Sequence, residues 1–492
     1  MNLLVENIIP SQVILLLFVA ALLPLFSKRG WLISFITVYL CAFVSCLMIF
    51  VVKKYGYVNY VFGKFSVPYG IEFRFDPLSS AFVALVTIGA LPIMIYSLLG
   101  TKLEIEKKKR PLFYSLLLMH IAGNLGVIIA HDLFTIYVFI EIASITAYGL
   151  VAAGKSKQAT FNAYNYLIVG TIGASFYLLG IGIIYALTGT LNMADVAKVL
   201  TTLPPTNLLG ISYICVLLGI LLKIGIFPFH GWVPGVLYSA PSTVSALFSV
   251  ASSNVMIYLV IRLFFDVFNT DITSFATIQK LLMIMAFITV MAGGILALIE
   301  REFRKMLGYS SLMNYSLVIF AIAVASKAAI IAAFVMLFAH AIAKSGLFMS
   351  AGLMSLRRPS LIIEEMPGTF AKAPWTTTAF VINIIALSGI PPFINFLGKW
   401  QLLVASIKQD KALIIVAITS TLFGLLYGLK IIDKVLFKPE PASGLVANSS
   451  QALMELGIII TGLMILAMTI FGGFFFAQAE MIANFLLRTL PR

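Results

Sequence analysis

Charge, cysteine and histidine are all scarce in these 492 residues. Only 11% are Asp, Glu, Lys or Arg. The three cysteines, Cys41, Cys46 and Cys215, each fall inside an apolar run, which argues against a disulfide framework or a thiolate metal cluster. Four histidines, His120, His131, His230 and His340, are scattered without ligand spacing, so no metal site is expected. No cysteine motif, nucleotide loop or haem ligand pair is present, so the chain is expected to carry no redox centre and no cofactor. Long polar segments are missing too. The longest (53–75, 100–111, 356–375 and 437–452) are loop-sized and leave no room for a substantial soluble domain.

What remains is apolar. Hydrophobic residues make up 61% of the chain and its mean hydropathy is +1.06, more than a soluble domain could bury. Fourteen spans are predicted: 10–27, 31–53, 76–99, 112–130, 132–153, 161–188, 211–230, 239–266, 275–299, 305–325, 328–355, 375–407, 412–437 and 453–480. Such runs suit a hydrocarbon core of about 30 Å. The expected fold is an all-α polytopic membrane protein. The first run has neither a basic segment before it nor a small-residue cleavage site after it, and reads as a retained helix. A net charge of +14 sits mainly in loops, where topology signals and lipid head groups account for it, so no nucleic-acid partner is expected. With alternating spans, one side collects 18 Lys and Arg and the other 12. The richer side is expected to face the cytoplasm, placing both termini outside the cell membrane.

Three lysines fit neither side: Lys223, Lys344 and Lys399. Lys223 is about twelve residues into its span, roughly 18 Å deep at 1.5 Å per residue. Lys344 is central in "FVMLFAHAIAKSGLFMSAG", with His340 one turn earlier on the same face. Glu141 is embedded in "LFTIYVFIEIASITAYGL". Each such charge costs at least ~2.5–3.5 kcal/mol at a helix centre, so it pairs, faces water or carries function. Glu141 and Lys223 read either as a static ion pair or as a titrating site, and the second reading is preferred. Lys399 either belongs to the same set or snorkels to the interface. Asp76 and Asp433, at span edges, read as solvated or capping residues.

Prolines interrupt two of these spans. Pro228 lies in "KIGIFPFHGW" and the Pro391-Pro392 pair in "SGIPPFINFLGKW". Proline removes backbone bonds, and a membrane tolerates the freed groups only against protein or a water-filled cavity. The two breaks lie in the seventh and twelfth spans, five apart, so two copies of one unit would be inverted. Discontinuous helices at matching positions of inverted repeats are a transporter signature. Desolvation loosens a lysine's hold on its proton and a neighbouring glutamate restores it, so moving one charge can load or empty the lysine. A proton is therefore the preferred ion, while hydroxyls such as Ser245, Ser249, Ser252 and Ser253 leave Na+ open.

At these residues the sequence resembles the antiporter-like membrane subunits of respiratory complex I, Mrp-type cation/proton antiporters and group 4 membrane-bound hydrogenases. The landmarks are "FRFDPLSSAF" (73–82), "HDLFTIYVFIEIASITAYGL" (131–150), "LTGTLNMADV" (187–196), "KIGIFPFHGWVP" (223–234), "APSTVSALFS" (240–249), "FRKMLGYSSLMNYSLV" (303–318), "AHAIAKSGLF" (339–348) and "SGIPPFINFLGKW" (388–400). The "TGTLNMAD" and "YSAPSTVSALFS" phrases look most like the Mrp D-type subunit and its hydrogenase or sulfur-reductase counterparts.

That resemblance implies fourteen helices, two inverted five-helix repeats, discontinuous helices 7 and 12, and a central polar axis. The implied organisation is helices 1–3 in 1–111, a first repeat in 112–268, a second in 269–438 and a last helix in 439–492. By match, Glu141, Lys223, His340, Lys344 and Lys399 would translocate the ion, with His230, Ser249, Asn254 and Asn165 as possible pathway residues. Two positions depart from the family: Ser249 and Asn254 stand where the eighth helix often has a lysine or histidine, and Asn165 where the sixth often has a lysine. These changes either interrupt the lateral route or are bridged by water and Ser/Asn side chains. No long lateral helix follows the last span, which argues for the D type over complex I's largest such subunit.

The expected function is an ion-translocating subunit of a multi-subunit redox-driven complex, foremost a hydrogenase or related sulfur reductase, coupled to proton or Na+ movement. The alternatives are the D-type subunit of an Mrp-type Na+/H+ antiporter and a complex I type quinone oxidoreductase subunit. Expected partners are other membrane subunits, antiporter-like and hydrogenase-type, and the lipid bilayer.

Overall fold

The computed structural model describes residues 3–26, 29–65, 70–204, 206–268, 272–357, 361–366, 373–407, 411–437 and 451–488. Of the charges counted for orientation, Lys28, Arg358, Lys372, Lys408, Lys438 and Arg492 lie outside these residues. Thirteen described helical stretches are long and apolar enough to cross a bilayer. The remaining expected crossing, 375–407, is a broken pair whose pieces are each too short alone.

The chain opens with α1 (Leu3–Leu22) and α2 (Gly30–Tyr55), then a short antiparallel hairpin of β1 (Val58–Val61) and β2 (Glu72–Phe75), with Val58 opposite Phe75. The "FDPLSS" phrase then starts α3 (Pro77–Glu104). Asp76 accepts from the Ser79 backbone N–H at 2.9 Å, and the Ser79 hydroxyl accepts from that of Asp76 at 2.7 Å. With Pro77 in the first turn, this is a reciprocal cap. Next come α4 (Arg110–Ile129), α5 (Leu133–Ala152) and α6 (Lys157–Thr188). In "TGTLNMAD", Asn192 caps the short helix α7 (Met193–Leu200) by accepting from the backbone of Ala194 and Asp195.

The seventh span is α8 (Asn207–Ile224) followed by α9 (Trp232–Ser239). The eighth is α10 (Ser242–Val250) and α11 (Ser252–Asp266), a break at Ala251 that no proline announced. After α12 (Ile272–Ile299), α13 (Phe303–Ala323) and α14 (Lys327–Arg357), the twelfth span is α15 (Pro374–Ser388) and α16 (Ile394–Ile407). Then follow α17 (Lys411–Ile432), α18 (Ala452–Ile470) and α19 (Gly472–Leu487). The expected continuous span 453–480 is thus interrupted at Phe471, where Gly472 and Gly473 offer the helix least support.

Burial sorts the helices. The apolar run of α13 is 94% buried and that of α14 89%, against 39% for α6, α12 and α17, so α13 and α14 form the middle and the others the rim. Lacking a hydrophobic drive between helices in lipid, small residues permit close crossing. Where α6 meets α8, a methyl group on Gly219 would lie 2.5 Å from the Gly173 carbonyl oxygen, so neither position has space for a side chain.

Candidate functional site

The breaks at the two proline sites share one local construction. In each, glycine ends the first piece in a left-handed conformation, Gly225 at φ +83° and Gly389 at φ +76°. The stranded backbone groups are then taken up by side chains. Trp232 Nε1 donates to the Leu222 carbonyl at 3.1 Å, and Thr289 on α12 accepts from the Phe227 N–H at 3.0 Å. At the second break Asn395 donates to the carbonyls of Ala386 (2.9 Å) and Leu387 (3.3 Å), and Thr469 on α18 accepts from the Ile394 N–H at 3.2 Å. The unannounced break is mended likewise: Asn254 donates to the carbonyls of Ser249 (2.6 Å) and Val250 (3.0 Å). Asn254 therefore supports a helix gap, while its Oδ1 is buried without a hydrogen-bond partner among the described residues.

Beside the first break, α5 and α8 bring two charges together. Lys223 Nζ lies 3.6 Å from Glu141 Oε1 and donates to the Ser144 hydroxyl at 2.7 Å. The lysine side chain is 8% exposed and the glutamate 29%, so Glu141 is the end of the pair reachable from outside the bundle. On its other flank Lys223 borders a cavity of about 20 Å³, enough for a single water. Tyr166, Ser249, Ser252, Ser253, Ser311 and Tyr315 line it among apolar neighbours.

Across that cavity the line continues into the central helices. The Tyr315 ring meets His340 edge-on at 4.9 Å. His340 is buried and, among the described residues, neither ring nitrogen has a hydrogen-bond partner. One turn on, Lys344 is fully buried, donating to the Leu307 carbonyl at 2.5 Å and to the Ser310 hydroxyl. Neither partner is a carboxylate. Lys399 is 3% exposed and donates to the Ser388 carbonyl at 3.3 Å, so it does not snorkel. It borders a cavity of about 390 Å³ beside the second break, lined also by Pro391, Trp400 and Thr421.

The expected residues divide. Glu141 and Lys223 meet directly, Lys223 and Ser249 share the small cavity, and His340 and Lys344 lie beyond Tyr315. His230 instead sits in the turn after Pro228, stacked on Phe227 at 5.2 Å and half-buried. Asn165 is half-buried on α6 and is not a lining residue; its neighbour Tyr166 is. Pro228, Pro391 and Pro392 are exposed and act through the backbone. Among the described residues no cluster of His, Cys, Asp or Glu is suited to a metal.

Two polar groups were not anticipated. His120 on α4 reaches the Ser252 hydroxyl at 2.9 Å. Asn124 one turn later repeats the i, i+4 polar spacing of His340 and Lys344, and this was the available signal. Arg262, counted among the loop charges, is 3% exposed inside α11. It reaches both oxygens of Asp76 at 2.8 Å, donating a hydrogen bond to Oδ1 and ion-pairing with Oδ2, and also meets Asp266 at 2.9 Å and the Tyr258 hydroxyl. Burial alone would raise the Asp76 carboxyl, yet Arg262 holds it down to about 2. Burial, with the charges of Arg74 and Arg262, pushes His131 down to about 3. Asp76 is thus a cap as expected, but a buried rather than a solvated one. Its cluster holds fixed charge at neutral pH.

Residues 130–424 match the family described as "NADH:quinone oxidoreductase/Mrp antiporter, TM". The chain belongs to this family. It is 33% identical to the NADH-quinone oxidoreductase subunit N of Desulforudis audaxviator over 77% of this chain and 75% of that protein. Identity to the D-type subunit of the Bacillus subtilis Na(+)/H(+) antiporter is 31%, over 73% of this chain and 72% of that protein. Its fold matches a chain of the membrane-bound sulfane sulfur reductase, an archaeal respiratory membrane complex, with a TM-score of 0.89, 22% identity and 97% of both chains covered. This is an antiporter-like, multi-pass membrane subunit.

Proposed function

We propose that the chain translocates protons, with Na+ as the second candidate ion, as one subunit of a redox-driven membrane complex in the cytoplasmic membrane. The observation that carries this reading is the line of titratable side chains from the half-buried Glu141 through the buried Lys223 and His340 to Lys344, joined across a water-sized cavity. Unpaired charges in an apolar bundle are costly, and Lys344 has no acidic partner among its hydrogen bonds. A route for cations explains that cost; a packing role does not. Lys399, beside its larger cavity, would be the far end of the line.

The matched construction of the breaks at 225–228 and 389–392 supports the division into two inverted units, 112–268 and 269–438, between helices in 1–111 and 439–492. Likeness to a quinone oxidoreductase subunit favours a redox partner, a hydrogenase or sulfur reductase being our choice. Likeness to a D-type antiporter component supports a second reading, in which the driving force is an ion gradient. Co-purification in mild detergent separates them: redox subunits support the first reading and antiporter subunits alone the second. In sealed vesicles carrying the intact complex, Lys223→Ala and Lys344→Ala are expected to lower ion pumping by about tenfold or more with assembly unchanged. Pumping at the parental rate in both variants overturns the assignment.

A further inference from the structure

The cavity beside Lys223 has a titratable neighbour that the line from Glu141 to Lys344 does not use. Halfway along α4, His120 is buried and held from three sides. Its Nδ1 lies 2.9 Å from the Ala143 carbonyl, its Nε2 lies 2.9 Å from the Ser252 hydroxyl, and Asn124 Nδ2 is 3.2 Å from the same Nε2. The Phe248 ring covers it at 5.3 Å. Its neighbours are therefore a carbonyl of α5, a ring of α10, a hydroxyl of α11 and an amide of its own helix. Among the described residues none of the ring's hydrogen-bond partners is charged; Glu141, paired with Lys223, lies two residues before Ala143 on α5.

Those partners fix the tautomer. A carbonyl only accepts, so Nδ1 carries the hydrogen, and a neutral ring then presents Nε2 as acceptor to Ser252 and Asn124. Ser252 also lines the cavity that Lys223 borders. One hydroxyl thus stands between the imidazole and the lysine's water-sized space.

We propose that His120 is a proton store for Lys223, filled and emptied through Ser252; this inference rests on the ion-translocation reading above. In filling, Lys223 releases a proton to a water in the cavity, and that water passes one to the Ser252 oxygen. The Ser252 O–H bond breaks as a new N–H bond forms at Nε2, leaving a neutral lysine, an imidazolium and an intact hydroxyl. Emptying reverses each step. Because Nδ1–H is tied to a backbone carbonyl, the proton enters and leaves by the same nitrogen, which makes His120 a side station and not a link to a further exit. Its positive charge, once present, opposes reloading of Lys223 and favours departure of the proton towards Tyr315 and His340. The cavity walls contributed by α10 and α11, namely Phe248, Ser249, Ser252 and Ser253, hold no titratable group of their own, so the imidazole from α4 supplies one.

The test uses the intact complex in sealed vesicles, with pumping followed as a function of pH. Variants His120→Gln, His120→Phe and Ser252→Ala are compared with Lys223→Ala. Glutamine can serve both hydrogen bonds but holds no extra proton. His120→Gln and Ser252→Ala are expected to assemble, pump about tenfold more slowly and lose the acid limb of the pH profile. Parental rate and profile in His120→Gln, with Lys223→Ala silent, overturns the store while leaving the main line intact. Ser252→Ala, which keeps the Ala143 tie, overturns it equally by pumping at the parental rate, whether or not the His120 variants assemble. Continued pumping by Lys223→Ala defeats the underlying translocation reading instead.

Discussion

Shortening or neutralising Glu141 gives a graded test of the buried pair. At 3.6 Å and an effective dielectric of about 20, two unit charges attract by about 4–5 kcal/mol. Glu141 is 29% exposed, and screening leaves about half of that, roughly 2 kcal/mol. This is a factor of about 30 in the balance between the loaded and empty lysine. Glu141→Gln removes all of it. Glu141→Asp withdraws the carboxylate by about one C–C bond, 1.5 Å, and so forfeits roughly a quarter to a third of the attraction, a factor of about three. Initial rates of ion uptake into sealed vesicles, normalised to assembled complex, are expected to run parental, then Asp at about a third, then Gln at about a thirtieth. A Gln variant within about twofold of parental refutes a working role for the pair, and Asp as silent as Gln refutes the distance argument.

Three further outcomes are expected. Arg262→Ala strands Asp266 and leaves Asp76 only the more distant Arg74 at 3.7 Å, and should cost about 3 kcal/mol, read as a lowered unfolding temperature in detergent. Arg262→Lys should restore only part of it, because an ammonium cannot hold Asp76 with a two-pronged grip. At the first break, Gly225→Ala places a methyl 2.3 Å from the Val233 Cγ2 and forces an L-residue to φ +83°, a backbone cost of about 1–2 kcal/mol before the clash. Its destabilisation should be partly relieved by Val233→Ala in the double variant. Burial pushes Glu302, at the start of α13, up to about 7, against its bond from the Lys305 N–H and the nearby Arg304 and Lys305 charges. Its folded state thus favours the neutral acid; the associated stability is full below pH 4.5 and lost as pH rises through 7. Glu302→Gln, which can keep the cap, should gain about 1–2 kcal/mol over the parent near pH 8 and nothing below pH 4.5, measured by thermal unfolding across pH.

Much of this arrangement was legible in the sequence because water is absent from a bilayer interior. A lysine at Lys223 or Lys344, or a proline at Pro228 or Pro391, breaks a rule whose cost is large, so each violation is conspicuous. The Glu141–Lys223 contact followed from two such violations of opposite sign. Arg262 escaped because it lies near the end of an apolar run, where a loop charge and a buried one look alike; only packing against Asp76 and Asp266 distinguishes them. The gap at Ala251 escaped because no proline marks it and the freed carbonyls of Ser249 and Val250 are satisfied by one asparagine. His120 escaped for a third reason: in neutral form it costs little, so its position alone carries no alarm.

The threonines at the two proline sites have a mechanical consequence. Phe227 and Ile394 hand their amide hydrogens to Thr289 and Thr469, residues on helices far along the chain. Each gap is therefore a joint with a borrowed pin. Turning one hydroxyl away unpins the backbone beside Lys223 without melting a helical turn, and α12, which holds that pin, lies on the exposed rim. Thr289, on a rim helix, thus holds in place the backbone four residues after Lys223.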